Sequence, residues 1–372
     1  MRKLGLGPFM VLAAVLVTSC NDRVGNRASQ RASAGTAPVK PVGEPIEIKA
    51  PLGLPPVPIP ANNPPTAETV ALGRRLYYDP ILSADNTISC ASCHAPETGF
   101  TDRNKVSDGV GGKMGTRHSP TVINSAYSTL QFWDGRAPSL EEQAKGPIAN
   151  PVEMATTHEA AVKRIQANPE YVALFRQAWG TDQITIDLVV KSIASFERTV
   201  ISGNSPFDRF YYGHDKTALS ASARRGLALF VDPKKGNCEI CHTIGKDYAL
   251  FTDNKFHNLG IGVDSDGSFK DLGRFSETKV DTDRGSFKTP TLRNIAQRGP
   301  FFHDGSFPTV KESLAHYIGG GNTNPYLDKE LHPLDSLSFK ERADILAFLD
   351  SLTGTLPDNV GPPASATTRA SR

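Results

Sequence analysis

Cys90-Ala91-Ser92-Cys93-His94 and Cys238-Glu239-Ile240-Cys241-His242 are the stretches whose reading decides the fold. Cys-x-x-Cys-His is the spacing of c-type haem attachment. Two thiols add across the haem vinyl groups, and the two residues between them set their separation. The imidazole that follows coordinates iron from the proximal side. A disulfide framework needs no histidine after each pair, and neither does a Cys-x-x-Cys redox site. A zinc site drawn from both pairs stays chemically open. The chain has five cysteines in its 372 residues, and the two motifs use all but Cys20.

Cys20 has a different context. Arg2 and Lys3 precede an apolar run, Phe9 to Val17, that is too short to span a bilayer. Val17-Thr18-Ser19-Cys20 follows and resembles the lipobox of bacterial lipoproteins. Residues 1–19 are therefore expected to be a lipoprotein signal peptide, with Cys20 the lipid-anchored first mature residue of a periplasmic protein. An ordinary signal peptide with a chance cysteine is the alternative. Residues 20–65 are rich in Pro and Ala and read as a tether; residues 358–372 read as a flexible tail. A formal net charge of +2, with no long basic run, argues against nucleic acid as a partner.

Between tether and tail the chain repeats itself. Gly73-Arg74-Arg75-Leu76-Tyr77-Tyr78-Asp79-Pro80 stands before the first haem motif, and Gly226-Leu227-Ala228-Leu229-Phe230-Val231-Asp232-Pro233 before the second. Each reads as a short helix stopped by Asp-Pro. After the motifs come Ser119-Pro120-Thr121-Val122 and Thr289-Pro290-Thr291-Leu292, then Phe132-Trp133-Asp134-Gly135 and Phe302-His303-Asp304-Gly305. Both blocks keep one offset, 170 residues. Each copy closes with an amphipathic helix, Val189 to Val200 and Ala343 to Leu352. The expected fold class is all-α, two tandem cytochrome c-like domains each with one covalently attached haem c, spanning residues 66–204 and 205–357. Gly203, Asn204 and Pro206 mark a linker near residues 202–215.

The chain resembles the bacterial dihaem cytochrome c peroxidases and their relative MauG over roughly residues 66–355. The stretches that carry the resemblance are Gln131-Phe132-Trp133-Asp134-Gly135-Arg136-Ala137, Glu142-Gln143-Ala144-Lys145-Gly146-Pro147, Val152-Glu153-Met154, Thr291-Leu292-Arg293-Asn294-Ile295 and Phe302-His303-Asp304-Gly305. The resemblance implies a peroxidatic N-terminal haem held by Cys90, Cys93 and His94, and an electron-accepting C-terminal haem held by Cys238, Cys241 and His242. It implies that Glu153 works on bound hydrogen peroxide, that Gln143 lines the same pocket, and that Trp133 lies between the haems. Splitting an O–O bond needs a group that moves a proton between the two oxygens, and burial raises a carboxyl pKa toward working pH. Electrons are expected from a small periplasmic cytochrome c or copper protein, and a homodimer is compatible with the resemblance. A MauG-like oxidase acting on a partner protein and a plain dihaem electron carrier are the alternatives.

The sequence departs from the family pattern at several positions. Tyr317 stands where the family places the second haem's distal ligand, and no methionine follows Met154. Its neighbour His316 is the rival ligand; adjacent helical side chains point about 100° apart, so only one can face the iron. Carried back by the 170-residue offset, position 317 falls on Pro147, which offers no side-chain donor. The loop histidine that closes the first haem in many relatives is Val110 here. The first haem is therefore expected to be open, with His94, His242 and Tyr317 the protein ligands of iron. A bridging calcium ion is also implied, held partly by an asparagine that aligns with His118 and by carbonyls near Arg298 and Pro300. Imidazole suits that hard cation poorly. The remaining histidines carry no motif and read mostly as surface or capping residues, with support of the second haem the lesser reading for His257 and His303; Arg293 and Arg298 are read either as partners of haem propionates or as solvated surface groups.

Overall fold

The computed structural model describes residues 39–364. The expected signal peptide, Cys20, residues 20–38 of the tether and residues 365–372 of the tail lie outside the described residues. Among the described residues eleven α-helices follow one another: α1 (Ala67–Tyr78), α2 (Cys90–Cys93), α3 (Leu140–Ala149), α4 (His158–Gln166), α5 (Pro169–Trp179), α6 (Ile186–Glu197), α7 (Pro206–Tyr211), α8 (Ala221–Val231), α9 (Phe275–Thr278), α10 (Val310–Ile318) and α11 (Phe339–Asp350). Two short strands, β1 (Phe256–His257) and β2 (Phe287–Lys288), pair antiparallel. The architecture is helical, as expected, with long irregular loops between helices.

Local chemistry sets the helix ends. The Thr66 hydroxyl accepts the Thr69 amide, and Thr69 Oγ1 accepts the Thr66 amide, so two orphan donors at the start of α1 are satisfied. Pro80 and Pro233 lack an N–H and stop α1 and α8 just after Asp79 and Asp232. Side-chain oxygens of Ser220 and Ser338 cap α8 and α11.

One crossing occurs twice. A Cβ built on Gly73 would lie 1.8 Å from the Ser192 carbonyl oxygen of α6, and one on Gly226 would lie 1.9 Å from that of Asp344 in α11. Only glycine lets the backbones of α1 and α6, and of α8 and α11, approach so closely. Beside these contacts Tyr77 meets Phe196 edge-on at 5.1 Å, and Phe230 meets Phe348 edge-on at 5.0 Å. Around the first crossing lies a cluster from Leu72 to Val200 that includes Phe100, Ile148 and Phe175. Around the second lies a cluster from Phe207 to Leu352 that includes Phe251, Leu314 and Ile345.

Three expectations need correction. The tether was expected to run to residue 65, yet residues 39–65 pack as a strap. Val42 N–H donates to the Ala178 carbonyl at 2.8 Å, Tyr127 OH donates to the Pro55 carbonyl at 2.9 Å, and Asn63 is fully buried against Glu141 and Lys191. Proline fixes extended backbone without asking for donors, so the same composition serves a docked strap as well as a free linker. The tail was expected to be loose from residue 358, yet Tyr78 OH donates to the Val360 carbonyl at 2.7 Å and Arg74 Nε to that of Gly361 at 2.6 Å. Residues 202–215, expected as a linker, contain α7, whose Phe207 and Asp208 are fully buried. Arg293 forms a two-pronged ion pair with Asp208, at 2.8 and 2.9 Å, and also donates to the carbonyls of Gly53 and Ala249. All three guanidinium nitrogens are engaged in this strut, so Arg293 serves the fold where a propionate contact was expected.

Candidate functional site

The two Cys-x-x-Cys-His motifs line separate cavities. Cys90, Cys93 and His94 face a cavity of about 1250 Å³, and Cys238, Cys241 and His242 face one of about 970 Å³. None of the four thiols is in a disulfide, and a single zinc site drawing on both pairs is not formed. His94 Nδ1 lies 3.4 Å from the Phe100 carbonyl, and His242 Nδ1 lies 2.9 Å from that of Phe251. A carbonyl can only accept, so Nδ1 carries the proton and Nε2 keeps a free lone pair for a metal. Burial lowers both pKa values to about 4, leaving the rings neutral, as ligands must be. Tyr77 OH donates to the His94 carbonyl at 2.8 Å and ties the motif to α1.

The first cavity also gathers Gln143, Pro147, Glu153, Met154 and Trp133. Gln143 and Pro147 sit four residues apart on α3, so they share a face. Glu153 lies in the turn after α3, where Asn150 Nδ2 donates to its Oε1 at 2.6 Å. Burial raises the Glu153 pKa, against the opposing pull of Asn150 and of the Arg136 charge. The Val110 loop rests on this turn: Val110 N–H donates to the Glu153 carbonyl at 2.8 Å. A second carboxyl, Glu197 at the end of α6, also lines the cavity. Its Oε2 has no hydrogen-bond partner, and burial pushes its pKa up to about 8. Nothing in the sequence singled it out, because an acid on an amphipathic helix reads as solvated.

Tyr317 on α10 lines the second cavity beside Leu314 and Ile345. Burial holds its phenol pKa well above the usual value, with the nearby Cys241 and Cys238 adding to the shift. His316 is turned elsewhere: its Nε2 lies 2.9 Å from the Leu259 carbonyl. His257 stands in the same cavity wall between two acids, with Nε2 3.0 Å from Asp253 and Nδ1 2.5 Å from Asp328. Asp253 most, then the Cys241 thiol and Asp328, raise its pKa to about 11 against the pull of burial. His303, by contrast, is stacked face to face on Phe287 at 3.5 Å, and burial lowers its pKa to about 4.

Between the motif cavities lies a third, of about 800 Å³, whose wall includes His118, Trp133, Lys288, Arg298 and Pro300. Trp133 belongs to the walls of both this cavity and the first. Its indole Nε1–H donates to the His118 carbonyl at 2.8 Å. His118 N–H donates to the His303 carbonyl at 2.7 Å, and Lys288 N–H donates to the Trp133 carbonyl at 2.8 Å. Positions 288 and 303 are 118 and 133 advanced by 170, so the two bonds are one contact made twice. Arg117 bridges Asp134 and Asp271 across the same junction.

These residues can be set against known proteins. Residues 67–216 match the family model described as di-haem cytochrome c peroxidase. The methylamine utilization protein MauG of Methylorubrum extorquens is 41% identical over 297 residues, covering 80% of this chain and 81% of that protein. This chain belongs to the di-haem cytochrome c peroxidase family. The cytochrome c551 peroxidase of Nitrosomonas europaea is 38% identical over 301 residues, covering 81% of this chain and 84% of that one. Among solved structures, a MauG-like protein associated with microbial copper homeostasis is similar with a TM-score of 0.75 and 30% identity, covering 85% of this chain and 97% of the other. The di-haem peroxidase family carries two haem groups, and the two large motif cavities fit them: each offers a thiol pair and an imidazole with its Nε2 lone pair free.

Proposed function

We propose that this chain reduces hydrogen peroxide to water in its first motif cavity. It would take electrons one at a time from a small periplasmic cytochrome c or copper protein. The observation that supports this reading best is Glu153, a half-buried carboxyl of raised pKa in the cavity of His94. Bound haem supplies the iron at which the O–O bond is broken and through which electrons arrive. Cys90 and Cys93 attach it, and His94 Nε2 ligates from one side. Glu153 accepts a proton from one peroxide oxygen and delivers it to the other; two protons and two electrons are consumed, and two waters leave. Gln143 offers an amide to orient the peroxide. Pro147 brings no side-chain donor to the cavity and so would leave room there for peroxide to reach a bound haem. Cys238, Cys241, His242 and Tyr317 hold the second haem, and Trp133, in the wall shared with the junction cavity, relays electrons.

In the same reading residues 66–204 form the peroxidatic domain and residues 205–357 the electron-transfer domain, exported to the periplasm and anchored by lipid at Cys20. The test is steady-state peroxide consumption by the holoprotein with a reduced small cytochrome c, with and without prior reduction. Turnover without pre-reduction is expected; no turnover under either condition refutes the reading. A second reading, a MauG-like oxidase acting on a partner protein, is favoured by Tyr317 in the second cavity and by the absence of methionine after Met154. A tyrosinate ligand lowers a haem potential relative to a thioether, which suits sharing oxidising equivalents better than storing electrons.

A further inference from the structure

The junction cavity is where the family resemblance puts a calcium ion, and its donor set does not fit one. His118, in the position of the asparagine ligand, has both ring nitrogens occupied, Nε2 at 2.9 Å from Thr101 Oγ1 and Nδ1 at 3.2 Å from the Asn104 carbonyl. The charged side chains of the wall are Lys288 and Arg298, and no carboxylate lines it. Neither cation makes an ion pair among the described residues. Arg298 uses one nitrogen to donate to the Thr291 carbonyl, and its buried Nε has no partner at all. Burial alone depresses both groups, Lys288 to about 8 and Arg298 to about 10, with no acid to offset it.

Two half-buried cations that face one cavity without a counter-charge are costly, and a missing partner is the usual explanation. A divalent cation would add to the repulsion; an anion would remove it. We infer that the junction cavity binds carboxylate through Lys288 and Arg298 and does not bind calcium. The inference rests on the two-haem reading, in which the propionates of a haem bound in a neighbouring motif cavity would supply the carboxylate. The cavity shares Trp133, Ser119 and Pro120 with the first haem cavity and Leu292 and Ile295 with the second. Two-pronged or ammonium contacts to carboxylate are the strong kind of hydrogen bond, and they hold an acid in its charged form. Lys288 and Arg298 are positioning residues here: they would fix the propionate edge of a haem at the junction and raise the potential of that haem.

The experiment uses haem-loaded, full-length protein. Elemental analysis should find two irons and no stoichiometric calcium per chain, and a calcium chelator should leave the absorption and EPR spectra unchanged. Lys288→Met should lower the midpoint potential of at least one haem, since removing a nearby positive charge favours ferric iron, and Lys288→Arg should restore it. Dialysis against low-anion buffer followed by added inorganic phosphate separates the sources. If propionate fills the site, thermal stability does not respond; if a solute anion does, phosphate stabilises the wild type and not Lys288→Met. One calcium per chain, with spectra that change on chelation, overturns the inference, as does a Lys288→Met protein with wild-type potentials and no phosphate response. A protein without haem fails the two-haem reading instead, and the iron content reveals that separately.

Discussion

Lys288 N–H donates to the Trp133 carbonyl at 2.8 Å, across the junction between the two motif-bearing halves. Its counterpart, His118 N–H to the His303 carbonyl, makes the same contact from the other side at 2.7 Å. The backbone of Trp133 is thus fixed by the half that does not contain it, while its indole is held by His118 of its own half. If Trp133 relays electrons as proposed, these two bonds would hold its distance to both sides steady.

The first haem should be accessible in the resting enzyme. Val110 is bonded through its backbone to the Glu153 carbonyl, and Pro147 lines the cavity, so neither candidate position supplies a second ligand. EPR of the fully oxidised protein is expected to show a high-spin ferric component without prior reduction. Low-spin signals alone at every pH would contradict it.

Tyr317, not His316, should ligate the second haem. Tyr317 faces the cavity of His242, while His316 is held by the Leu259 carbonyl. Tyr317→Phe should keep the haem attached yet change its EPR signal and raise its potential; His316→Ala should change neither. The reverse pattern assigns the ligand to His316.

The glycine crossings should be intolerant of any side chain. At Gly73 and Gly226 an added Cβ meets a backbone oxygen at under 2 Å, with no flexible side chain to yield. Gly73→Ala and Gly226→Ala should each cost at least ~1–3 kcal/mol, the usual range for overpacking. Urea titration of the holoprotein measures it, and midpoints equal to wild type would show that the helices can part.

Much of this was legible because Cys-x-x-Cys-His, present twice, is the spacing that c-type haem attachment asks for, and because the 170-residue offset ties Trp133 to His303 and Pro147 to Tyr317. The strap at residues 39–65 was not legible, since proline-rich sequence looks alike whether solvated or docked. An arginine pairs with any carboxylate or stays solvated, so the sequence leaves propionate and surface water both open as partners of Arg293. Its true partner, Asp208, lies 85 residues away and is set by tertiary packing. Lys288, Glu197 and the His257 clamp were missed for the same reason: their significance comes from what burial leaves around them.

Glu197 gives a pH-dependent term in stability. Its folded pKa, about 8, lies above the ordinary carboxylate value near ~4.3, so between those pH values the folded state binds more protons than the unfolded one. Its contribution is fully present below the unfolded pKa and is lost as pH rises through about 8. Glu197→Gln should therefore flatten the fall in stability between pH 5 and pH 8, measured by thermal melts across that range. An unchanged slope would mean that this carboxyl is charged in the fold.

The most direct test of peroxide reduction at the first cavity is turnover by Glu153→Gln. Glu153 must be deprotonated to accept the first proton, and burial raises its pKa, so the wild-type rate should fall on the acid side, with that limb displaced upward from where an exposed carboxyl would put it. Glu153→Gln should retain both haems and their spectra, abolish that acid limb, and slow steady-state peroxide consumption by about 10²–10⁴-fold. A variant with both haems intact that consumes peroxide at the wild-type rate would contradict the assignment.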